Sequence, residues 1–277
     1  MTLSVIIPTY NRAKYLPLAL QSLVLQNYPQ NEFEVIVIDD GSEPSIEPII
    51  TEYQTKLNLK FIKQTHGGVC RARNAGIKLA QSDVLVFFDD DAVADINWLQ
   101  AVADTMKTED LIVGRVKILK HPFWGYFAPH YDRGEILKPT DSLLEGNCAI
   151  KRAVFDKVGL FDENIEYGHE GQEFLNRTNQ FYVLKYCPTM IIHHDYATSI
   201  FDYLKKQYKF GQQSAYLESK YGERKTTDTR EKNALLESLP TGKKLAIKLV
   251  ARLGYYVHSF GYWLSKNKYR KNIKDED

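Results

Sequence analysis

Val84-Leu85-Val86-Phe87-Phe88-Asp89-Asp90-Asp91 runs an apolar stretch straight into three carboxylates. Branched and aromatic side chains in unbroken succession read as a strand buried on both faces. Three adjacent acids repel one another unless something positive meets them. A hard divalent cation carrying the phosphates of a substrate is the natural counter-charge. The plainer reading is a solvated acidic turn that caps the next helix. The surrounding sequence weighs against it.

Outward from that strand, strand-like and helix-like runs alternate. Leu3 to Ile7 reads as a strand, followed by a helix with Leu16, Leu20, Leu23 and Leu25 on one face. Phe33 to Ile38 is a second strand ending in Asp39-Asp40-Gly41-Ser42. A helix rich in Ile and Glu follows Pro44, then a strand at Leu59 to Ile62, a Gly-Gly pair and a helix through Arg73 to Ala80. This β-α order implies an α/β fold with a mostly parallel, twisted sheet flanked by helices. In such sheets ligands bind beyond the carboxyl ends of the strands. Thr9-Tyr10-Asn11, Asp39-Asp40 and Asp89 to Asp91 all fall there. The rim of the sheet is therefore the expected active site.

The bulk numbers limit the alternatives. A chain of 277 residues, 44% hydrophobic and 26% charged, fits one large domain or a domain with a tail. A net charge of +1 leaves no footprint for bulk nucleic-acid binding. Cys70, Cys148 and Cys187 form no C-x-x-C pattern, so neither structural zinc nor a disulfide framework is expected and a reducing cytoplasm is the default. The first apolar stretch breaks at Pro8 and reads as a strand, not as a signal peptide. No run is long enough to span a bilayer, so the expectation is a soluble protein or one attached to a membrane from one side.

Beyond residue 120 the pattern loosens. Pro122-Phe123-Trp124-Gly125-Tyr126-Phe127 reads as an aromatic loop. Glu145-Gly146-Asn147 opens a strand-and-helix pair that ends in Gly159-Leu160-Phe161-Asp162-Glu163. A helix over Gln172 to Asn179, strands before His193-His194 and a helix over 199–219 follow, and a polar stretch near 222–232 reads as a linker. The tail, 243–274, carries nine Lys/Arg and no acid. Leu249, Leu253, Tyr256, Phe260 and Trp263 recur at three and four residues and give it one apolar helical face. Such a helix either lies on an anionic membrane surface or docks that face on protein.

Four segments together resemble family 2 glycosyltransferases of the GT-A fold: Ser4 to Arg12 (Ser-Val-Ile-Ile-Pro-Thr-Tyr-Asn-Arg), Val37 to Ser42, Ala72-Arg73-Asn74-Ala75-Gly76 and Phe88 to Asp91. Gly159 to Glu163 adds a fifth match, and the likeness covers roughly residues 1 to 215. It implies a GT-A type domain over 1–220, with a donor half at 1–118 and an acceptor half at 119–220, ahead of a linker and basic helical tail at 221–277. It also implies a nucleotide-diphosphate-sugar donor, with UDP-sugars first, a Mn2+ or Mg2+ ion, and transfer with inversion to a glycan, lipid-linked or small-molecule hydroxyl. The setting would be cytoplasmic, with possible peripheral contact at the inner face of the membrane through the tail.

By motif, Pro8, Thr9, Tyr10 and Arg12 would lie on the donor side, Asp40 would take the base edge, and Arg73 would lie near the diphosphate. Asp91 would be the chief metal ligand, with Asp89 and Asp90 on ribose, sugar or metal and His193 or His194 completing the metal site. Glu145, Gly146, Asn147 and Trp124 would face the acceptor. Inverting members carry a Glu-Asp pair whose Asp is the general base, but here Tyr167-Gly168-His169-Glu170-Gly171-Gln172-Glu173 puts glycine in the Asp position. The base is then Glu170 first, or Glu173. The competing expectation is a nucleotide-sugar-binding protein with impaired catalysis. A nucleotidyltransferase would open with a Gly-rich phosphate loop, where this chain has Pro-Thr-Tyr-Asn-Arg.

Overall fold

The computed structural model of the protein describes residues 1–222 and 240–274. Its regular elements are β1 (Leu3–Thr9), α1 (Leu16–Val24), β2 (Phe33–Asp39), α2 (Glu47–Gln54), β3 (Leu59–Lys63), α3 (Val69–Leu79), β4 (Val84–Phe88), β5 (Val93–Ala94) and α4 (Trp98–Thr105). They continue with β6 (Leu111–Lys117), α5 (Pro122–Gly125), β7 (Lys138–Pro139), β8 (Asn147–Lys151), α6 (Arg152–Val158), α7 (Glu170–Thr178), β9 (Lys185–His193), α8 (Ile200–Tyr221) and α9 (Thr241–Lys274). The aromatic stretch read as a loop thus opens with the short helix α5. Past Gly222, the polar stretch read as a linker lies outside the described residues.

The strands join one sheet in the order β3-β2-β1-β4-β8-β6-β9-β5, with β7 on β9. β3, β2, β1 and β4 run parallel, and β8 enters antiparallel between β4 and β6. The register Phe88↔Asn147 sets the residues before β8 beside those after β4. Short β5 pairs Val93 with His193, which carries the end of β9 back beside the acidic triplet. Pro8 is tolerated within β1 because the pairing to β4 stops at Ile6↔Phe87, where a missing N–H no longer breaks the ladder.

The chain divides into two compact units. The first holds Met1–Lys117, His130–Glu166 and Glu170–His194; the second holds Ile118–Pro129, Tyr167–His169 and the chain from Asp195 onward. In this division α8 and α9 fall in the second unit. In the first unit β1, β2 and β4 are buried along their whole length because both sheet faces are covered there. Leu3, Val5, Ile7, Val86 and Phe88 pack with Leu16, Leu20, Leu23, Trp98 and Val102. On the opposite face Phe87 meets Phe155 and Phe161, with Phe174 completing the ring cluster. The motif helix α3 lies there too: a side chain at Gly76 would collide with Ile6, and Asn74 clasps both N and O of Phe161.

In the second unit, Trp124 stacks on Tyr203 at 5.4 Å with Phe127 against the same ring, and α9 packs along α8. Tyr203 meets Gly254, Gly211 meets the His258 carbonyl and Tyr208 meets Gly261, so the helices run in the same direction and approach through glycines. Tyr262 and Lys266 reach Glu218 further along. The docked face of α9 is thus the one carrying Ile247, Gly254, Gly261 and Ser265. The apolar face read from the sequence points elsewhere, and Leu249, Leu253, Tyr256, Phe260 and Trp263 are all exposed.

Replacing Gly211 with Leu drives a side chain into the His258 carbonyl. It should cost about 1–3 kcal/mol, as overpacking does, read as a lower urea midpoint with early release of α9 in limited proteolysis.

Candidate active site

β1, β2 and β4 deliver their carboxyl ends to one rim, with Thr9 opposite Asp39. Asp90 turns inward, accepts from Thr9 Oγ1 at 2.6 Å and lies 3.3 Å from Arg12 Nη1. Burial pushes its carboxyl up to about 7 against the pull of Arg12, with Asp91 and Asp89 adding to the rise. Asp91 pairs with Arg12 Nη2 and lies 3.2 Å from His194 Nε2. Tyr131 Oη meets the other ring nitrogen of His194 at 3.2 Å and so fixes the ring with Nε2 toward Asp91.

One ligand atom each from Asp89, Asp91 and His194 can be chosen within 4.8 Å of one another. Two carboxylate oxygens and an imidazole nitrogen form a donor set suited to a manganese-like ion, and less to magnesium. The residues therefore fit a divalent cation. His193 lies within β9, where it pairs with Val93 and Lys117, and it is not a member of that triad.

Behind the rim, Arg73 reaches Glu170 Oε1 at 2.8 Å and Asp89 Oδ1 at 3.3 Å while only 3% exposed. Burial opposes its charge, but Glu170, Asp89 and Glu145 outweigh burial and hold the guanidinium ionised. Glu145 accepts from the N–H of Gly171, an otherwise open donor in the first turn of α7. A Cβ at Gly171 would run into that carboxylate and into the Leu143 carbonyl. A Cβ at Gly146 would likewise run into Asp89. Both glycines are there because a carboxylate already occupies the space. Burial first, then the adjacent Glu170, raises the Glu145 carboxyl to about 8, against Arg73 and the Gly171 N–H. The position that resemblance left without an acid is therefore filled by an acid from the turn before β8.

A third group lies at the end of β2. Tyr10 is exposed and stacks on His66 with ring centroids 4.0 Å apart and planes 14° from parallel, an open platform for a flat ring. Asn11 takes a left-handed conformation (φ 54), which asparagine tolerates, and ties this loop to Ser42 and Glu43. Asp40 does not offer a base edge as expected. Its two oxygens accept from Gln64 Nε2, His66 Nδ1, Gly67 N and Gly68 N at 2.7–3.0 Å, which uses them up on the 64–68 loop. Asp39 is different: Oδ1 caps Ser42 N, while Oδ2 is buried with no hydrogen-bond partner among the described residues.

Three further expectations change. Asn147 is fully buried and stitches the Arg115 and Met190 carbonyls to Trp98 Nε1, so it holds the sheet and not an acceptor. Glu173 is also fully buried and pairs with Arg177, which caps the Leu160 carbonyl, so the structure does not bring it to the rim as a base. Trp124 is committed to packing on Tyr203 in the second unit. Sequence reasoning placed Asp39 at the rim without a role of its own and did not single out His66. The period of two along β2 was the available signal for the first, since neighbouring acids at a strand end face opposite ways.

The model of the family described as glycosyl transferase family 2 matches residues 4–159. Among curated relatives, the glycosyltransferase AglE of Haloferax volcanii is 29% identical over 75% of this chain and 71% of its own length. The chondroitin synthase of Escherichia coli is 37% identical over 62% of this chain but only 31% of its own length. Of solved structures, Staphylococcus aureus TarS 1–349 in complex with UDP-GlcNAc has a TM-score of 0.59 at 20% identity, over 98% of this chain and 92% of its own. The mannosyltransferase PcManGT from Pyrobaculum calidifontis, in complex with GDP-Man and Mn2+, has a TM-score of 0.63 at 16% identity, over 99% and 88%. At such identities the structures speak for the fold, an α/β sheet of the GT-A kind. With the rim above and a family match over more than half its length, the chain belongs to glycosyl transferase family 2 and is a glycosyltransferase.

Proposed function

We propose that this glycosyltransferase moves a sugar from a nucleoside-diphosphate donor, a UDP-sugar in the first instance, to an acceptor hydroxyl with inversion, and that it depends on a divalent cation, Mn2+ or Mg2+. One observation carries the reading. Asp89, Asp90, Asp91, Glu145 and Glu170 gather around Arg12 and Arg73, beside a three-donor cation site. Asp89, Asp91 and His194 would hold the ion, which when bound supplies Lewis-acid neutralisation of the leaving diphosphate.

The chain's own residues account for the rest. Tyr10 and His66 present a stacking face to the base, and Asp39 Oδ2 offers the buried acceptor that a uracil N–H needs. Arg12 and Arg73 stand where phosphate oxygens would gather. Glu145 and Glu170 sit against each other with like charge, and Glu170 is the one bonded directly to Arg73. Glu145, whose carboxyl is raised by burial and by Glu170, is the proton acceptor. It takes the acceptor's hydroxyl proton as the oxygen attacks the anomeric carbon, and the bond to the diphosphate breaks with its electron pair on phosphate. Attack from the side opposite the leaving group inverts that carbon.

The acceptor class follows the relatives only in outline. AglE, the chondroitin synthases and the hyaluronan synthase point to glycan or polysaccharide assembly, on a glycan, a lipid-linked intermediate or a small molecule. Buried free cysteines suit the cytoplasmic side of a membrane, and 243–274 offers peripheral contact there. No helix among the described residues is long and apolar enough to cross one.

Asp91→Ala should lower metal-dependent transfer about a hundredfold or more, and chelation should abolish transfer in the parent. Equal rates with and without chelator would remove the cation from the reading. A thermal-shift screen with manganese should give a larger rise with UDP than with GDP, and Asp39→Asn should erase that difference. Glu145→Gln should cut turnover by about 10²–10⁴-fold while donor binding persists. In the parent the rate should climb with pH through about 8, as Glu145 loses its proton, and the variant should lose that limb. If Glu170→Gln removed the limb instead, the base would be Glu170. Gly171→Asp should reduce both melting temperature and rate, because its carboxylate would meet that of Glu145.

A further inference from the structure

α9 is assembled the wrong way round for a helix that simply completes a protein core. Small residues face α8, while the large apolar ones face solvent: Leu249 is 59% exposed, Phe260 55% and Trp263 64%. At 3.6 residues per turn, Leu245, Leu249, Leu253, Tyr256, Phe260 and Trp263 share roughly a quarter of the circumference, opposite the docked glycines. Lys248 and Arg252 border this stripe on one flank and Lys268 lies on the other, all exposed. Residues 241–274 hold nine Lys/Arg and no Asp or Glu.

We propose that α9 lies in the plane of an anionic phospholipid bilayer, its apolar stripe at the boundary of headgroups and acyl chains and its flanking cations on lipid phosphates. The assignment deepens the peripheral contact named above, and it stands on the helix alone, whatever donor the site takes. Three features select this occupant. The stripe ends in Tyr256, Phe260 and Trp263, aromatic side chains of the kind that settle at a bilayer interface. The flanking Lys and Arg stems can lie along apolar surface with their heads at the phosphates. A second copy of the chain would bring two acid-free cationic strips together, which repel. Cations within the stripe's borders, and the lack of a crossing-length apolar helix among the described residues, make the helix lie on the bilayer and not through it.

Flotation of the full chain with phosphatidylcholine vesicles, with and without phosphatidylglycerol, tests this. The protein should float only with the anionic vesicles, and added salt should release it. Phe260→Ser with Trp263→Ser, and separately Lys248→Glu with Arg252→Glu, should each weaken partitioning at least about tenfold. All four side chains are exposed and none belongs to the rim, so the nucleotide-dependent thermal shift should stay at the parent value. That second readout keeps a failure here distinct from a failure of the transferase reading. Trp98 and Trp124 are buried, so a blue shift of tryptophan emission on anionic vesicles should vanish in Trp263→Phe. Equal flotation with neutral vesicles, none with anionic ones at low salt, or a dimer that Trp263→Ser dissolves without any vesicle binding would each overturn the proposal.

Discussion

The site depends on one buried guanidinium. Arg73 has left water almost completely, and a cation there is stable only among carboxylates placed to receive it. Asp89 comes from the end of β4 and Glu170 from the start of α7, with Glu145 close by from the approach to β8. Three stretches distant in sequence are thus bound to one side chain. The helix bearing it is fixed independently, since Asn74 clasps Phe161 and Gly76 lets α3 close on Ile6. One helical turn therefore carries a charge, a clasp and a gap, and each needs the other two.

Around that cation the polypeptide makes room by omitting side chains. Gly146 and Gly171 are both places where a carboxylate from elsewhere stands against the backbone. The pair Glu145 and Glu170 then differ in character for a simple reason: one bonds Arg73 directly and the other caps a helix N–H. Burial and the neighbouring Glu170 raise the Glu145 carboxyl, while Glu170 is committed to the guanidinium. An acid absent at one position in the sequence does not mean an acid absent from the space.

Much of this was legible in advance, for definite reasons. Predominantly apolar runs at 3–7, 33–38 and 84–88 read as strands covered on both faces, and polar clusters at their ends gather at one rim. Local pattern could not say which atoms were already engaged. Asp40 was read as an open acceptor because its four donors come from a loop some 25 residues later, and nothing nearby announces them. Asn147 was read as facing an acceptor because its carbonyl partners lie on β6 and β9, elements brought to it only by sheet register. For the tail, periodicity located the apolar face correctly. It carried no information on which face would dock, because glycines can pack a helix more tightly than leucines.

The saturation of Asp40 has its own effect on binding. Residues 64–68 are tied to one carboxylate at four points, and His66 among them supports the ring of Tyr10. A segment already so constrained has little conformational entropy left to lose when a nucleotide settles on it. The order of that wall is set when the chain folds, so a base docking there, as proposed, would demand little rearrangement.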